Sequence, residues 1–507
     1  MENQPWGNPS PWQSQPFQPV PEVTYPIEKR ELLFGAASLL FAYLLCNCLF
    51  FAGANLGLAV AIIGCLLCSV FYLSSRGCRL DGYSGTLLLL SLLTAAGFAR
   101  SDDGFVKFVC TCFLLLSGNL TFCLMAGQNR RARGSVRSLL DAPRAVFALG
   151  FGKMPETFRG LGVAFRRSGS VGQKGGAFLL GVCITVPVVA IMLPLLSSAD
   201  AAFAGLVALL PDFDGGEWFT TLLFGTMFGC VSFVRGVALH NAPKAEPAKK
   251  TGRGIHAVTV NTVLCAVSLL YGVYLLSQLA YFSGGFAGIL PEGYTLAQYA
   301  RRGFFEMAVL SGGNLLLMVL SLGLVKKDTR APLSTRLLSL FIGIVTLFLI
   351  AAASAKMFLY IDSFGLTRQR LLTQIIMLFL ALTTVVVSVW LFVPKLPYMQ
   401  VVLVAALVIS AATLWADVDT QVARYNVDAY LSGRLETVDV HYLRYLGNGA
   451  VPQLARLEKE APNGQIKSQA NTFLKEKARQ LRDSDIREWN YVNHIAKNRF
   501  ITNRGAA

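Results

Sequence analysis

Charged residues are scarce in this sequence. Asp, Glu, Lys and Arg make up 15% of its 507 residues against 54% hydrophobic, and the mean hydropathy is +0.52. A soluble domain carries about 25% charged residues. The shortage is concentrated. Apolar runs, each nearly free of charge, recur from residue 31 to residue 415, and their length of roughly 20 residues matches the ~30 Å hydrocarbon core of a bilayer. A soluble core helix that long would keep a polar face, and these have none. A soluble fold is therefore excluded for this part of the chain.

Histidine is scarcer still. His240, His256, His441 and His494 all fall outside the apolar runs, which argues against an intramembrane haem or a His-ligated metal centre. The eleven cysteines stop at Cys265. Cys46 with Cys48, and Cys110 with Cys112, are spaced onto different helix faces. Cys65 and Cys68 share a face but no second pair follows at metal-site spacing. The cysteines read as small apolar residues of membrane helices. There is no G-x-x-x-x-G-K-[ST] loop, no H-E-x-x-H and no G-x-S-x-G, so the usual marks of nucleotide, zinc-protease and serine-hydrolase chemistry are missing. No cofactor and no metal is expected. A cleavable signal peptide is not expected either, because the N-terminus is polar and acidic. The first apolar stretch, from Leu32, would serve as an uncleaved signal anchor.

What charge there is has one dominant sign. The net charge is +16, yet the basic residues sit in short loops between apolar runs, which is the pattern that sets membrane orientation, and no nucleic-acid partner is expected. Eleven spans are expected, near 31–53, 55–74, 83–99, 104–126, 176–197, 218–239, 257–281, 303–325, 337–361, 371–393 and 398–415. Ten Lys/Arg lie in 127–175, and further ones follow in alternate loops to a total of twenty-one. The opposite loops hold five: Arg100, Arg301, Arg302, Arg368 and Arg370. That bias predicts a cytoplasmic N-terminus and, with an odd number of spans, an extracytoplasmic C-terminus. The loop 198–217 carries Asp200, Asp212, Asp214 and Glu217 and no basic residue. Its apolar stripe predicts a short interfacial helix ending at Pro211.

The fold class expected is all-α: a polytopic transmembrane bundle of about eleven spans with a small C-terminal helical domain. Residues 1–30 form a Pro-rich cytoplasmic tail, disordered and leaning to polyproline II, with Pro5, Pro9, Pro11, Pro16, Pro19, Pro21 and Pro26. Spans 1–4 occupy 31–126, a basic cytoplasmic loop 127–175, and spans 5–11 occupy 176–415. In the basic loop, Val136–Leu149 and Phe158–Phe165 are apolar with Arg interspersed. They would lie on the inner leaflet and bind anionic lipid, or else serve only to fix topology. Residues 416–507 hold 14 Lys/Arg and 11 Asp/Glu with no membrane-length run. Apolar residues recur there at helical spacing: Val422, Tyr425, Ala429 and Tyr430, then Val440, Leu443 and Leu446, then Val451, Leu454 and Leu457. Gly447-Asn448-Gly449 breaks the chain, Pro452 opens a helix, and Pro462-Asn463-Gly464 stops it. This segment reads as one or two α-solenoid units that lean on the membrane part, and as the place where an envelope protein partner would dock.

Several stretches carry a family likeness. They are Leu195–Phe203 (LLSSADAAF), Tyr294–Glu306 (YTLAQYARRGFFE), Tyr360 with Phe364–Arg368 (FGLTR), Asn426–Leu431 (NVDAYL) and Asp439–Leu443 (DVHYL). Together they resemble the bacterial multi-pass membrane family filed as domain of unknown function 4173, related to number 4153. The resemblance covers roughly residues 180–460, and Tyr299–Phe304 is its most specific part. It implies the membrane topology and a bacterial plasma membrane, and it carries no activity.

Polar residues inside spans are expensive and tend to mark function. Glu306 and Lys356 fall at similar depth in the eighth and ninth spans and would pair. Arg301, Arg302, Asp362, Arg368 and Arg370 crowd the same end. These seven outline an outward-facing pocket suited to an anionic ligand such as a phosphate-bearing lipid or envelope polymer. The alternative is structural: helix-end anchors, a snorkelling lysine and a fixed ion pair. Asn119 and Asn314 lie within spans. Asp102-Asp103 is a carboxylate pair that would suit a divalent cation. Three functions follow: a non-enzymatic envelope sensor or accessory protein, a transporter or lipid-handling protein, and a membrane enzyme acting on a lipid-linked substrate.

Overall fold

The computed structural model describes residues 25–51, 55–131, 134–167, 181, 185, 188–189, 191–193, 195–208, 215–244, 255–285, 304–324, 332–482 and 489–501. Its elements are helical throughout. The long ones are α1 (Lys29–Phe50), α2 (Leu56–Ser75), α3 (Gly82–Gly97) and α4 (Gly104–Met125), followed by α5 (Met154–Arg167) and the short α6 (Ala201–Ala208). Then come α7 (Gly215–Asn241), α8 (Ala257–Gly285), α9 (Phe304–Leu324), α10 (Leu333–Phe364), α11 (Arg368–Phe392) and α12 (Tyr398–Ala416). The tail holds α13 (Val418–Leu431), α14 (Val440–Tyr445), α15 (Val451–Glu460), α16 (Gly464–Arg482) and α17 (Tyr491–Ile495).

Nine of these helices are long and apolar enough to cross a membrane: α1, α2, α4 and α7 to α12. The chain is an all-α, multi-pass membrane protein. Phe71, Leu269 and Val309 are 78%, 74% and 74% exposed, which only a lipid surround makes inexpensive. The span expected at 83–99 is the apolar helix α3, whose 16 residues reach about 24 Å, short of the ~30 Å core. Most of the span expected at 176–197 lies outside the described residues, as does Pro211. Helix α6 falls where the interfacial helix was expected.

Helix starts follow capping chemistry. Asp81 accepts from the Ser84 amide, Asp103 from that of Val106, Thr367 from that of Arg370 and Asp439 from that of Tyr442, each satisfying an amide that the helix itself leaves bare. In α15, Pro452 occupies the first turn, where a missing N–H costs nothing. Between lipid-facing helices the hydrophobic effect gives little, so packing depends on close approach. At Gly229 of α7 a Cβ would sit 3.0 Å from the Leu39 Cα of α1, so glycine lets the two backbones approach this closely.

At one end of the bundle, Arg76 after α2 ion-pairs with the buried Glu31 and with Glu28, and Tyr72 donates to Glu31 at 3.0 Å. Gln128 donates to the Leu239 carbonyl in the last turn of α7 and to those of Ala242 and Pro243 just past its end. The stretch before α1 is not free chain. Tyr25 is buried and its amide donates to the Glu156 carbonyl of α5 at 3.4 Å. The rest of the expected N-terminal tail, 1–24, lies outside the described residues. In the basic loop Asp141 is buried against Arg131 at 3.1 Å, while Phe147, Phe151 and Phe158 stay exposed.

Candidate functional site

At the other end of the bundle four segments meet the tail helices. They are the α1–α2 turn, the α3–α4 turn, the α10–α11 turn and the end of α12. The α10–α11 turn is built on Gly365 at φ +75°, a left-handed conformation that suits a residue without a Cβ. Asn426 of α13 clamps the next residue from both sides. Its Oδ1 accepts from the Leu366 amide and its Nδ2 donates to the Leu366 carbonyl, each at 2.7 Å. Two backbone groups that the turn would strand are thereby paired.

This turn delivers Arg368 to the centre of the junction. Its Nε lies 3.0 Å from Asp103 at the start of α4. Its Nε and a terminal nitrogen donate to the two carboxylate oxygens of Asp419 on α13, at 2.8 and 2.6 Å. The two-pronged geometry matches a guanidinium to a carboxylate. Both carboxylates are almost fully buried. The Arg368 amide donates to the Tyr442 hydroxyl of α14 at 2.8 Å, and Asp419 also accepts from the Gly447 amide at 3.0 Å. One arginine therefore ties two spans to two tail helices.

Asp102 faces the tail as well. It accepts from the Asn448 amide at 3.3 Å and from Asn490 Nδ2 at 3.4 Å. A Cβ at Gly447 would lie 2.6 Å from an Asp102 oxygen, so glycine there lets the carboxylate in. Asn490 also reaches Asn55 at 3.3 Å, and the buried Lys107 donates to Asn55 at 2.9 Å. Asp417, left by the end of α12 at φ +53°, is buried and accepts from Thr420. Burial pushes its carboxyl up to about 6. Asp102-Asp103 is thus a fastener between bundle and tail. Among the described residues no group of three or more His, Cys, Asp or Glu is placed to hold a metal ion.

A cleft of about 600 Å³ opens beside this junction. Its floor comes from Met357, Tyr360 and the first turns of α11 with Thr367, Arg368 and Arg370, and its opposite wall from Tyr442, Tyr445 and Leu446 of the tail. Arg370 stacks over the Tyr360 ring at 4.0 Å and donates to the Phe364 and Gly365 carbonyls. It makes no ion pair among the described residues, and its contacts there are carbonyl dipoles and an aromatic face.

Of the seven residues expected to outline an anion pocket, the structure brings Arg368 and Arg370 to one cleft. Arg301 and Arg302 lie outside the described residues. Glu306 and Asp362 are exposed, Lys356 is half-buried, and none of the three lines the cleft. No Glu306–Lys356 ion pair is among those of the described residues. The two intramembrane asparagines have partners. Asn314 accepts from the Tyr271 hydroxyl at 2.8 Å and donates to Thr346 at 3.1 Å. Asn119 accepts at 2.7 Å from Arg235, whose guanidinium also stacks over Phe122 at 4.8 Å.

Sequence reasoning passed over Arg235, Lys107, Asn55, Asp417, Asp419 and Asn490. A signal existed for the first two, since each is a lone cation inside an apolar run. Nothing in the local pattern marks the others: Asp419 meets Arg368 across 51 residues, and Asn55 meets Asn490 across 435.

A family model described as Domain of unknown function (DUF4153) matches residues 86–457. The chain belongs to this family. Of the two related numbers that its motifs resemble, 4153 is the one matched. The DUF4153 match starts within α3 and ends within α15, so it includes Asp102, Asp103, Arg368, Asp419 and Gly447 on both sides of the junction. Helices α1, α2, α16 and α17, with Asn55 and Asn490, fall outside it. No curated protein and no solved structure matches the chain.

Proposed function

We propose that this DUF4153 protein is a non-enzymatic sensor or accessory protein of a bacterial inner membrane, with a cytoplasmic N-terminus and an extracytoplasmic tail over residues 416–507. The orientation rests on the excess of basic residues in one set of loops. The observation that carries the function is the composition of the cleft. Its walls come from both spans and tail, and it holds Arg370, a cation that makes no ion pair among the described residues. An anionic ligand there, a phosphate-bearing lipid headgroup or envelope polymer, touches Arg370 and the tail's Tyr442 and Tyr445 together. Binding then biases how the tail sits on the spans, and an envelope partner reads the tail. A ligand shifts such an equilibrium only by its differential contacts with the two arrangements, and the shared walls supply them. The basic loop 127–175 holds the inner leaflet through anionic lipid, with Phe147 and Phe158 facing the acyl chains.

The test uses the full chain in lipid vesicles. A short glycerol-phosphate polymer and inorganic phosphate are added separately, and hydrogen exchange of residues 418–460 is followed. Protection by the polymer that Arg370→Gln abolishes supports the reading. Exchange that neither probe alters, or that changes equally in Arg370→Gln, refutes it. Reporters fused after Ala507 check the orientation independently.

A further inference from the structure

A second hollow lies on a different face of α11 from the anion cleft. It is an apolar groove of about 240 Å³ between α4, α11 and α12, with Phe105, Cys110, Ile376 and Ala406 among its walls. Where its lining stops sets its depth. Phe113 lies nine residues from the start of α4, Phe379 eleven from the start of α11, and Ala406 ten from the end of α12. At 1.5 Å per residue each is about 14–17 Å from the junction end. Half the hydrocarbon core is ~15 Å, so the groove is one leaflet deep. Phe105 and Ile376 are 60% and 52% exposed, so it opens sideways to the bilayer.

At the junction end, through Ile375 and Thr413, the groove runs on into a hollow of about 460 Å³ rimmed by Gln421, Arg424, Tyr425 and Asp428. The Arg424 side chain is 66% exposed and stands 3.6 Å from Asp428, beyond hydrogen-bond distance. Asp428 is instead held by Arg456 at 2.7 Å. The guanidinium of Arg424 therefore has donors to give, at the level where spans end and headgroups begin.

We propose that this continuous groove holds a glycerophospholipid, with one acyl chain in the apolar part and the phosphate on Arg424 and Gln421. The depth selects this occupant. A span of another copy would cross both leaflets, whereas the groove ends near mid-membrane. The cation at the rim matches a phosphate. A lipid seated there contacts α4, α11, α12 and α13 at once, so it becomes part of the support beneath the tail.

The full chain is reconstituted in vesicles of phosphatidylethanolamine and phosphatidylglycerol, doped with a phosphatidylethanolamine bearing a photoreactive group on one acyl chain. After irradiation the labelled peptides are mapped. Label is expected to concentrate on 105–113, 372–379 and 406–413 over Leu269, Leu270 and Val273 of α8, which are at least as exposed as Phe105 and Ile376. Ile376→Trp, which fills the groove mouth from an exposed position, is expected to remove that excess and leave the α8 label. Arg424→Gln is expected to lower it about threefold, the size of one exposed charge contact. Labelling no higher than on α8, an excess that survives Ile376→Trp, or cross-links between copies in its place overturns the proposal. An excess that Ile376→Trp removes and Arg424→Gln leaves intact overturns the phosphate assignment.

Discussion

Arg368 and Asp419 form a two-pronged pair at 2.8 and 2.6 Å, joining the first turn of one span to the first tail helix. The same guanidinium reaches Asp103 at 3.0 Å. Two buried carboxylates thus share one cation, and the Val106 and Gly447 amides each donate to one of them.

Removing that cation strands both carboxylates. Arg368→Gln is expected to destabilise the protein by about 3 kcal/mol, at the low end for a broken buried pair because the arginine is partly exposed. Thermal unfolding in detergent measures the loss, and protease cutting within 418–460 should rise. In the triple variant Arg368→Gln, Asp103→Asn, Asp419→Asn, part of the loss should return, since no charge is then left buried alone. If the single variant melts with the native protein, the junction does not hold the tail.

Asp417 gives a pH dependence of known sign. Burial raises its folded-state value from 3.8 to about 6, so the fold favours the protonated acid. The stability it contributes is full below about pH 4 and is lost as pH rises through 6. Asp417→Asn should therefore raise the melting point at pH 7.5, by the equivalent of about 2 kcal/mol, and change little at pH 4. Asn also tolerates the positive φ at this position. A variant that gains nothing at pH 7.5 contradicts the assignment.

The Asn426 clamp is expected to be costly to lose. Asn426→Ala leaves the Leu366 amide and carbonyl buried and unpaired, at about 2–4 kcal/mol. Gly365→Ala meets a positive φ, and its Cβ would lie 2.6 Å from Asn426 Oδ1, so it should cost at least about 1 kcal/mol. Because both act on one turn, the double variant should lose less than the sum of the two. Full additivity in denaturation would count against a shared clamp.

Within the bundle, Asn119→Leu removes the 2.7 Å acceptor of Arg235. The loss expected is about 2 kcal/mol, as for a hydrogen bond to a charged group. Asn119→Asp should be tolerated, since it offers the guanidinium a carboxylate. Equal melting points for the Leu variant and the native chain would show that Arg235 is satisfied elsewhere.

Much of this architecture is legible residue by residue. The runs around α1, α2, α4 and α7 to α12 announce themselves by length and hydropathy. In the tail, Val422, Val440, Leu443, Val451, Leu454 and Leu457 are all buried, as their spacing predicts; Pro452 lies in the first turn of α15, and α15 ends at Glu460, just before the expected stop at 462–464. The candidate site was only half visible. Arg368 and Arg370 stood out because charge is rare at span ends. Their expected companions Glu306, Lys356 and Asp362 do not line the cleft, since equal depth in two spans does not put two side chains on facing sides. Asp419 gave no sign at all, being one acid among eleven in a charged segment.

The sequence by itself determined that the chain is helical, that it crosses a membrane many times, and where most helices begin and end. Those are local properties: an apolar run meets the bilayer, and a cap meets the next turn, whatever the rest of the chain does. The tertiary structure alone decided which polar groups meet. Asn448 finds Asp102 across 346 residues and Asn490 finds the same carboxylate across 388. Such contacts are fixed by how the spans pack and close, because a buried charge is settled by whatever partner the fold brings to it.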